Sequence, residues 1–326
     1  MAKKILVTGG TGFIGSALVR RLVHDGYDVR VFDNNSRGVE SRLDDVKDDL
    51  ELVVGDIRSP KDVSRATAGV ESVHHLAFVN GTEFFYSKPE LVLEVGVKGM
   101  MNVLDACIEH NVGDLVLASS SEVYQTPPEV PTDESAPLSV PDPLNPRYSY
   151  GGGKIISELL TINYGRKFFE RAVIFRPHNV YGADMGWEHV LPQFILRMHG
   201  LMQENDADPL PFPIQGTGEE TRAFVYIDDF TDGLMHVVEQ GEHLNIYHIG
   251  TQEEVAIADI AREVGRALGR EIEIVPGELQ KGGTKRRCPD ITKLAALGYA
   301  PKVSLADGIK QTAGWYVAHA DEAPAK

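Results

Sequence analysis

The chain has 326 residues, 42% of them hydrophobic, with 48 acidic against 32 basic side chains and a formal net charge of -16. That length builds a large core, as one α/β domain or two smaller ones, and the acidic balance argues against nucleic acid or an anionic membrane as partner. The two cysteines, Cys107 and Cys288, form no CxxC pair for zinc or redox work and no disulfide framework, so a reducing cytoplasm is the expected setting. In chain order, "KKILVTGG" reads as a strand running into a Gly-rich turn, and "SALVRRLVHDGY" has the apolar spacing of a helix. The same opening stretch combines basic and apolar residues as a secretory leader does, but its glycines and the early return of Arg20 and Arg21 fit the strand-turn-helix pattern better. No uncharged apolar stretch is long enough to read as a membrane span.

The runs "DVRVFD", "LELVVGD", "SVHHLA" and "DLVLASS" supply four further strands, separated by helical stretches such as 90–110. A helix is expected from about Arg147, followed by the strand "RAVIFRP". Such alternation predicts an α/β fold, a doubly wound parallel sheet of the Rossmann type with helices on both faces. Beyond Pro177 the chain turns rich in Pro, Gly, Asn and Asp, with a helical patch at "LPQFILRM", and predicts a smaller, loop-rich C-terminal substrate lobe. The expected division is a dinucleotide-binding domain over 1–177, rejoined by about 222–250, and a lobe over 178–326 with a ligand cleft between them.

Gly9, Gly12 and Gly15 form GxxGxxG between the first strand and first helix, with Phe13 and Ile14 inside the motif. Glycine permits the tight turn and close approach to a pyrophosphate, which the helix N-terminus favours. Asp33, followed by Asn34, ends the second strand 18 residues after Gly15, near the offset of about 20 at which a carboxylate binds the adenosine ribose. A carboxylate there repels a 2'-phosphate, so NAD is expected over NADP; Arg37 is the one nearby residue suited to that phosphate.

"YSYGGGK", residues 148–154, looks at first like a phosphate loop, but Tyr148 stands where the leading glycine belongs and Ile155 where the Ser or Thr belongs. Tyr150 and Lys154 are four apart and share a helix face. An ammonium about 4 Å from a phenol, at an effective dielectric near 20, attracts the phenolate by about 4 kcal/mol, which would bring a pKa of about 10 towards about 7. That makes Tyr150 a candidate base. The serines of "ASSSEVY" lie at the carboxyl end of a strand, where they would either cap a helix or hold a substrate hydroxyl.

These features together resemble the extended short-chain dehydrogenase/reductase family over nearly the whole chain, and within it the NAD-dependent nucleotide-sugar 4-epimerases, 4,6-dehydratases and UDP-glucuronate decarboxylases. The resemblance implies that Tyr150 takes the proton of a sugar 4-hydroxyl, that Lys154 lowers its pKa and holds the nicotinamide ribose, and that Ser120 binds the same hydroxyl. It implies cofactor contacts from Asp56 and Ile57 and from Leu76 and Ala77, and contacts to a sugar diphosphate from Asn179, Arg222 and Arg287. A homodimer paired through the helices over 90–110 and 147–168 is also implied. Ser121, Glu122 and Arg287 match the decarboxylase pattern, whereas the Asp that dehydratases carry before the Glu is Ser121 here. Two departures stand out: Gly96 replaces an asparagine usual in the family, and Gln125 a glycine. The expected activity is a 4-epimerase acting through a transient 4-keto sugar. A dehydratase or decarboxylase using Glu122 is the alternative, and a non-catalytic NAD sensor is a more distant one.

Overall fold

The computed structural model describes residues 2–278 and 284–324. Strands β1 (Lys4–Thr8), β2 (Asp28–Asp33), β3 (Leu50–Val54), β4 (Ser72–His75), β5 (Asp114–Ala118) and β6 (Arg171–Pro177) are joined by Asn245–Ile249 in one seven-stranded sheet. All neighbours are parallel, in the order Asn245–Ile249, β6, β5, β4, β1, β2, β3. The strand order reverses between β1 and β4, and in a doubly wound sheet such a reversal opens a crevice at the carboxyl ends.

Both faces of the sheet are covered, and β1 explains how a short strand serves two cores. Ile5 and Val7 join the cluster of Leu18, Leu22, Phe230 and Leu234, while Leu6 between them joins Val63, Val103 and Leu104 on the other face. This is the two-residue period of a pleated strand, apolar at each step because each face meets a helix. The run over 90–110 is less regular than its pattern suggests. It divides into Pro89–Leu93, a π turn over Glu94–Lys98 that contains Gly96, and Gly99–Glu109.

The later residues build a second core and also return to the first. Helices Val190–Glu204, Ile257–Ala267 and Leu305–Ala318 surround a parallel pair, Leu210–Ile214 and Ile272–Pro276, burying Phe194, Phe212, Ile260 and Tyr316. The helix Ile227–Gln240 and the strand Asn245–Ile249 belong to the sheet, and Ile291, Leu294 and Tyr299 pack into its core as well. Thr221–Ala223 lies between Glu254–Ala256 and Arg286–Arg287, a register that pairs Arg222 with Arg287. Among the described residues no helix is long and apolar enough to cross a membrane, and no group of three or more His, Cys, Asp or Glu is arranged to hold a metal.

Candidate active site

A cavity of about 520 Å³ runs along the carboxyl ends of β1, β2, β4 and β5 and under the second lobe. Its first wall is the Gly-rich turn. Gly9 has φ +74°, and a Cβ there would stand 2.7 Å from Ala77 N, so the turn and the Leu76–Ala77 segment touch backbone to backbone. The helix Phe13–His24 starts at Gly12 with no side-chain cap, which leaves amide donors at its N-terminus directed to the crevice. Asp33 Oδ2 accepts from Thr11 N at 3.1 Å and Oδ1 from Asn35 N at 3.0 Å, so each oxygen keeps a lone pair for a ribose hydroxyl. This donor set fits a dinucleotide. Gly12, Phe13, Ile14, Gly15, Asn34, Ile57, Leu76 and Ala77 all line the cavity. Asp56 is not among the lining residues: Arg58 Nη2 donates to its carboxylate at 2.7 Å and holds the carboxyl pKa below its ordinary value. Arg37 also lines the cavity, with Glu188 at 3.6 Å and the Phe84 ring 4.7 Å beneath its guanidinium.

Tyr150 and Lys154 occupy the second wall, both on the helix Tyr148–Phe168 and both buried. Tyr150 sits in an aromatic slot, stacked on Phe85 at 4.9 Å between centroids and edge-on to Phe78 at 5.1 Å. Lys154 Nζ donates to the Ala118 carbonyl at 2.7 Å and lies 3.9 Å over Phe78, with the Tyr150 ring centroid 5.9 Å off. The expected lowering of the phenol by Lys154 is absent. Burial pushes Tyr150 up to about 12, opposed by the Ser120 hydroxyl and reinforced by Glu122. Burial likewise drives Lys154 down to about 7. The two residues lie one turn apart on the helix, but the ammonium bends toward the end of β5 and is desolvated there. Ser120 Oγ accepts from Glu122 N at 3.2 Å, capping the short turn Ser121–Val123, and the Ser120 hydroxyl faces Tyr150.

Across the cavity Glu122 Oε1 accepts from Arg287 Nη1 at 2.5 Å. Burial raises the Glu122 carboxyl, but Arg287, Arg147 and Arg222 together hold it below its ordinary value. Arg222 is itself lowered to about 10, by burial first and then by Arg287, against Glu122 and Glu220. Three guanidiniums thus converge on one carboxylate, an excess of positive charge at this end of an acidic protein. Ser121, Arg147, Asn179 and Arg287 line the cavity; Arg222 stands behind them, donating to the Thr221 carbonyl at 2.7 Å. Asn179 has φ +40° and donates to the Ala223 carbonyl at 3.0 Å.

Sequence reasoning overlooked Phe78, Phe85, Arg147 and the support behind the serines. Ser119 donates to Glu158, which holds Arg176 at two points, and Arg176 also donates to Tyr124. Tyr124 meets His248 Nε2 at 2.6 Å. The spacing of Tyr150, Lys154 and Glu158, four and four, was the available signal for Glu158.

The consecutive glycines have separate reasons. A Cβ on Gly151 would stand 2.6 Å from Gln125 Nε2 and 2.9 Å from the Glu122 carbonyl; one on Gly153 would stand 3.3 Å from Phe78; one on Gly152 would meet only Val140, at 3.6 Å. Gln125 has φ +55°, the backbone region that favours the glycine usual at its position.

Residues 5–250 match the NAD dependent epimerase/dehydratase family. The chain is 30% identical to UDP-glucuronic acid decarboxylase 1 of Xenopus tropicalis, over 96% of this chain and 72% of that protein. Among solved structures it is similar to the dTDP-glucose 4,6-dehydratase DesIV of Streptomyces venezuelae with NAD bound, at 29% identity and TM-score 0.85 over 98% of each chain. It is also similar to the UDP-glucose 4-epimerase of Thermus thermophilus in complex with NAD, at 28% identity and TM-score 0.82, over 96% of this chain and 99% of that one.

Proposed function

The chain belongs to the NAD dependent epimerase/dehydratase family, and within it we propose a nucleotide-sugar 4-epimerase that uses NAD. NAD, when bound, accepts a hydride from the sugar and returns it. Tyr150 takes the proton of the 4-hydroxyl, Ser120 holds that hydroxyl, and Lys154 holds the nicotinamide ribose beside them. Gly9 to Gly15 and Asp33 bind the dinucleotide; Asn179, Arg147 and Arg287 bind the diphosphate sugar, with the charge of Arg222 behind them.

The observation that carries this reading is the engagement of Glu122 by Arg287 at 2.5 Å. A dehydratase needs a second acid and base to remove the C5 proton and expel water, and a carboxylate tied to a guanidinium and held below its ordinary pKa is a poor acid near neutrality. Epimerisation needs only rotation of the ketone and return of the hydride. A second reading, decarboxylation of a nucleotide-linked hexuronate, is favoured by Ser121, Glu122 and Arg287 meeting at one wall with Arg147 beside them. Incubation with UDP-, GDP- and dTDP-sugars, followed by NMR of the products, separates the readings. Sugars inverted at C4 are expected; carbon dioxide release, or a stable 4-keto-6-deoxy product, would overturn the epimerase.

A homodimer is part of the same proposal. Leu93, Ile156 and Leu159, the last 58% exposed, leave apolar surface on two neighbouring helices. Sedimentation equilibrium should give twice the chain mass, and a mass of one chain would refute the pairing.

A further inference from the structure

Phe78 follows the Leu76–Ala77 segment beyond β4, and its ring enters a gap between two helices. A Cβ on Gly96 would overlap the ring at Cζ and Cε2, so glycine there is what admits it, and one on Gly153 would stand 3.3 Å from Cζ, a close fit on the other side. Once there, the ring touches both halves of the candidate catalytic pair. Lys154 Nζ lies 3.9 Å over its centroid, and the Tyr150 ring stands edge-on at 5.1 Å and 82°. Phe85, the other aromatic wall of Tyr150, stacks on the tyrosine alone among the described contacts.

We propose that Phe78 is a positioning residue for Tyr150 and Lys154, its π face holding the ammonium and its edge fixing the phenol, with Gly96 and Gly153 forming the gap that lets it in. This rests on reading those two residues as the reacting pair, though not on which sugar is bound. A ring quadrupole attracts a cation most strongly where water is excluded. Lys154 is such a cation: apart from the Phe78 ring, its partners among the described residues are the Ala118 carbonyl at 2.7 Å, the more distant Tyr150 ring at 5.9 Å and Glu158, one turn further along the helix. Glu158 is itself paired with Arg176. His75, facing Lys154 from β4, is held neutral down to about pH 3, by burial first and then by Lys154, and Glu122 acts on Tyr150 from across the site. Phe78 therefore supplies the nearest aromatic face to this cation, and the family's asparagine at position 96 would occupy the space its ring needs.

The test is a pH titration of Lys154 by NMR in protein carrying ¹³C-lysine, its signal identified by loss in Lys154→Met. Phe78→Leu keeps apolar bulk and removes the π face, so the midpoint is expected to fall by about one pH unit. Gly96→Ala, whose methyl displaces the ring, should lower the midpoint in the unaltered chain and add nothing in Phe78→Leu. Phe78→Met replaces the leucine variant should that one not fold. Unchanged midpoints in folded Phe78 and Gly96 variants would overturn the proposal, as would strictly additive shifts. Turnover by Tyr150→Phe alongside a shifted midpoint would instead refute the catalytic reading of the pair and leave the hold of Phe78 on Lys154 standing.

Discussion

Glu158 and Arg176 form a two-point ion pair in the interior: Nε donates to Oε1 at 2.8 Å and Nη2 to Oε2 at 2.7 Å, with the side chains only 4% and 2% exposed. The pair ties the helix bearing Tyr150 and Lys154 to β6, just before Asn179, and Glu158 also receives Ser119. Removing one member strands the other charge, so Glu158→Ala is expected to lower stability by about 3–5 kcal/mol in urea denaturation. Glu158→Gln keeps the shape but strands the same charge, so it should cost nearly as much; a glutamine variant as stable as the unaltered chain would show that the charge is unimportant.

Glu122 and Arg287 provide the sharpest functional comparison. With the epimerase chemistry, Glu122→Gln should retain at least a third of the turnover, whereas Tyr150→Phe should lose about 10²–10⁴-fold while NAD stays bound by calorimetry. Arg287→Ala is expected to raise KM by about tenfold or more, the worth of a charge-assisted contact to diphosphate. A collapse of kcat in Glu122→Gln would move the assignment to the decarboxylase chemistry.

The adjacent glycines should respond unequally to alanine. Gly152→Ala meets only Val140, at ordinary contact distance, so the higher helix propensity should stabilise the protein by up to about 1 kcal/mol. Gly151→Ala must displace Gln125 and the Glu122 carbonyl, disturbing the strand end that carries Ser120. Thermal melting and turnover of the two variants are expected to diverge, and identical behaviour would show that the packing is easily relaxed.

Acid should weaken the fold from near pH 6.5 downward. Burial lowers His74 to about 4 and His75 and His248 to about 3, whereas unfolded imidazoles titrate near about 6.5. Between those limits the unfolded chain carries protons that the folded chain lacks, so stability falls as pH drops from about 6.5, and this loss is complete below about 3. Among the described residues, His74 has no hydrogen-bond partner on either ring nitrogen. His74→Leu should therefore make the decline of urea midpoints between pH 7 and 4 shallower by one proton; an unchanged slope would count against His74 as a contributor.

The sheet was legible because each strand is a short apolar run bounded by turn residues, and "DVRVFD" and "RAVIFRP" coincide with β2 and β6. The cofactor turn was legible because glycine spacing encodes backbone approach directly. The site was only partly so. Spacing placed Tyr150 and Lys154 on one face, yet the bend of the ammonium to Ala118 depends on the end of a distant strand. Phe78 reads as one more apolar residue until Gly96 and Gly153 are seen around it. Arg222 and Arg287 meet through the register of strands two and three residues long, too short for any periodicity to announce.

The strand Asn245–Ile249 reaches β6 only after the chain has built part of the second core, and Ile291 to Tyr299 return to the first core again. The two cores are stitched together by one thread, so neither can be inherited or exchanged as a block through a single crossover. Cutting after Pro177 would leave β6 as an unpaired edge and strip Phe230, Leu234 and Tyr247 from the packing beside it. Segments of the second core can be replaced only in place, with the sheet still folded through them.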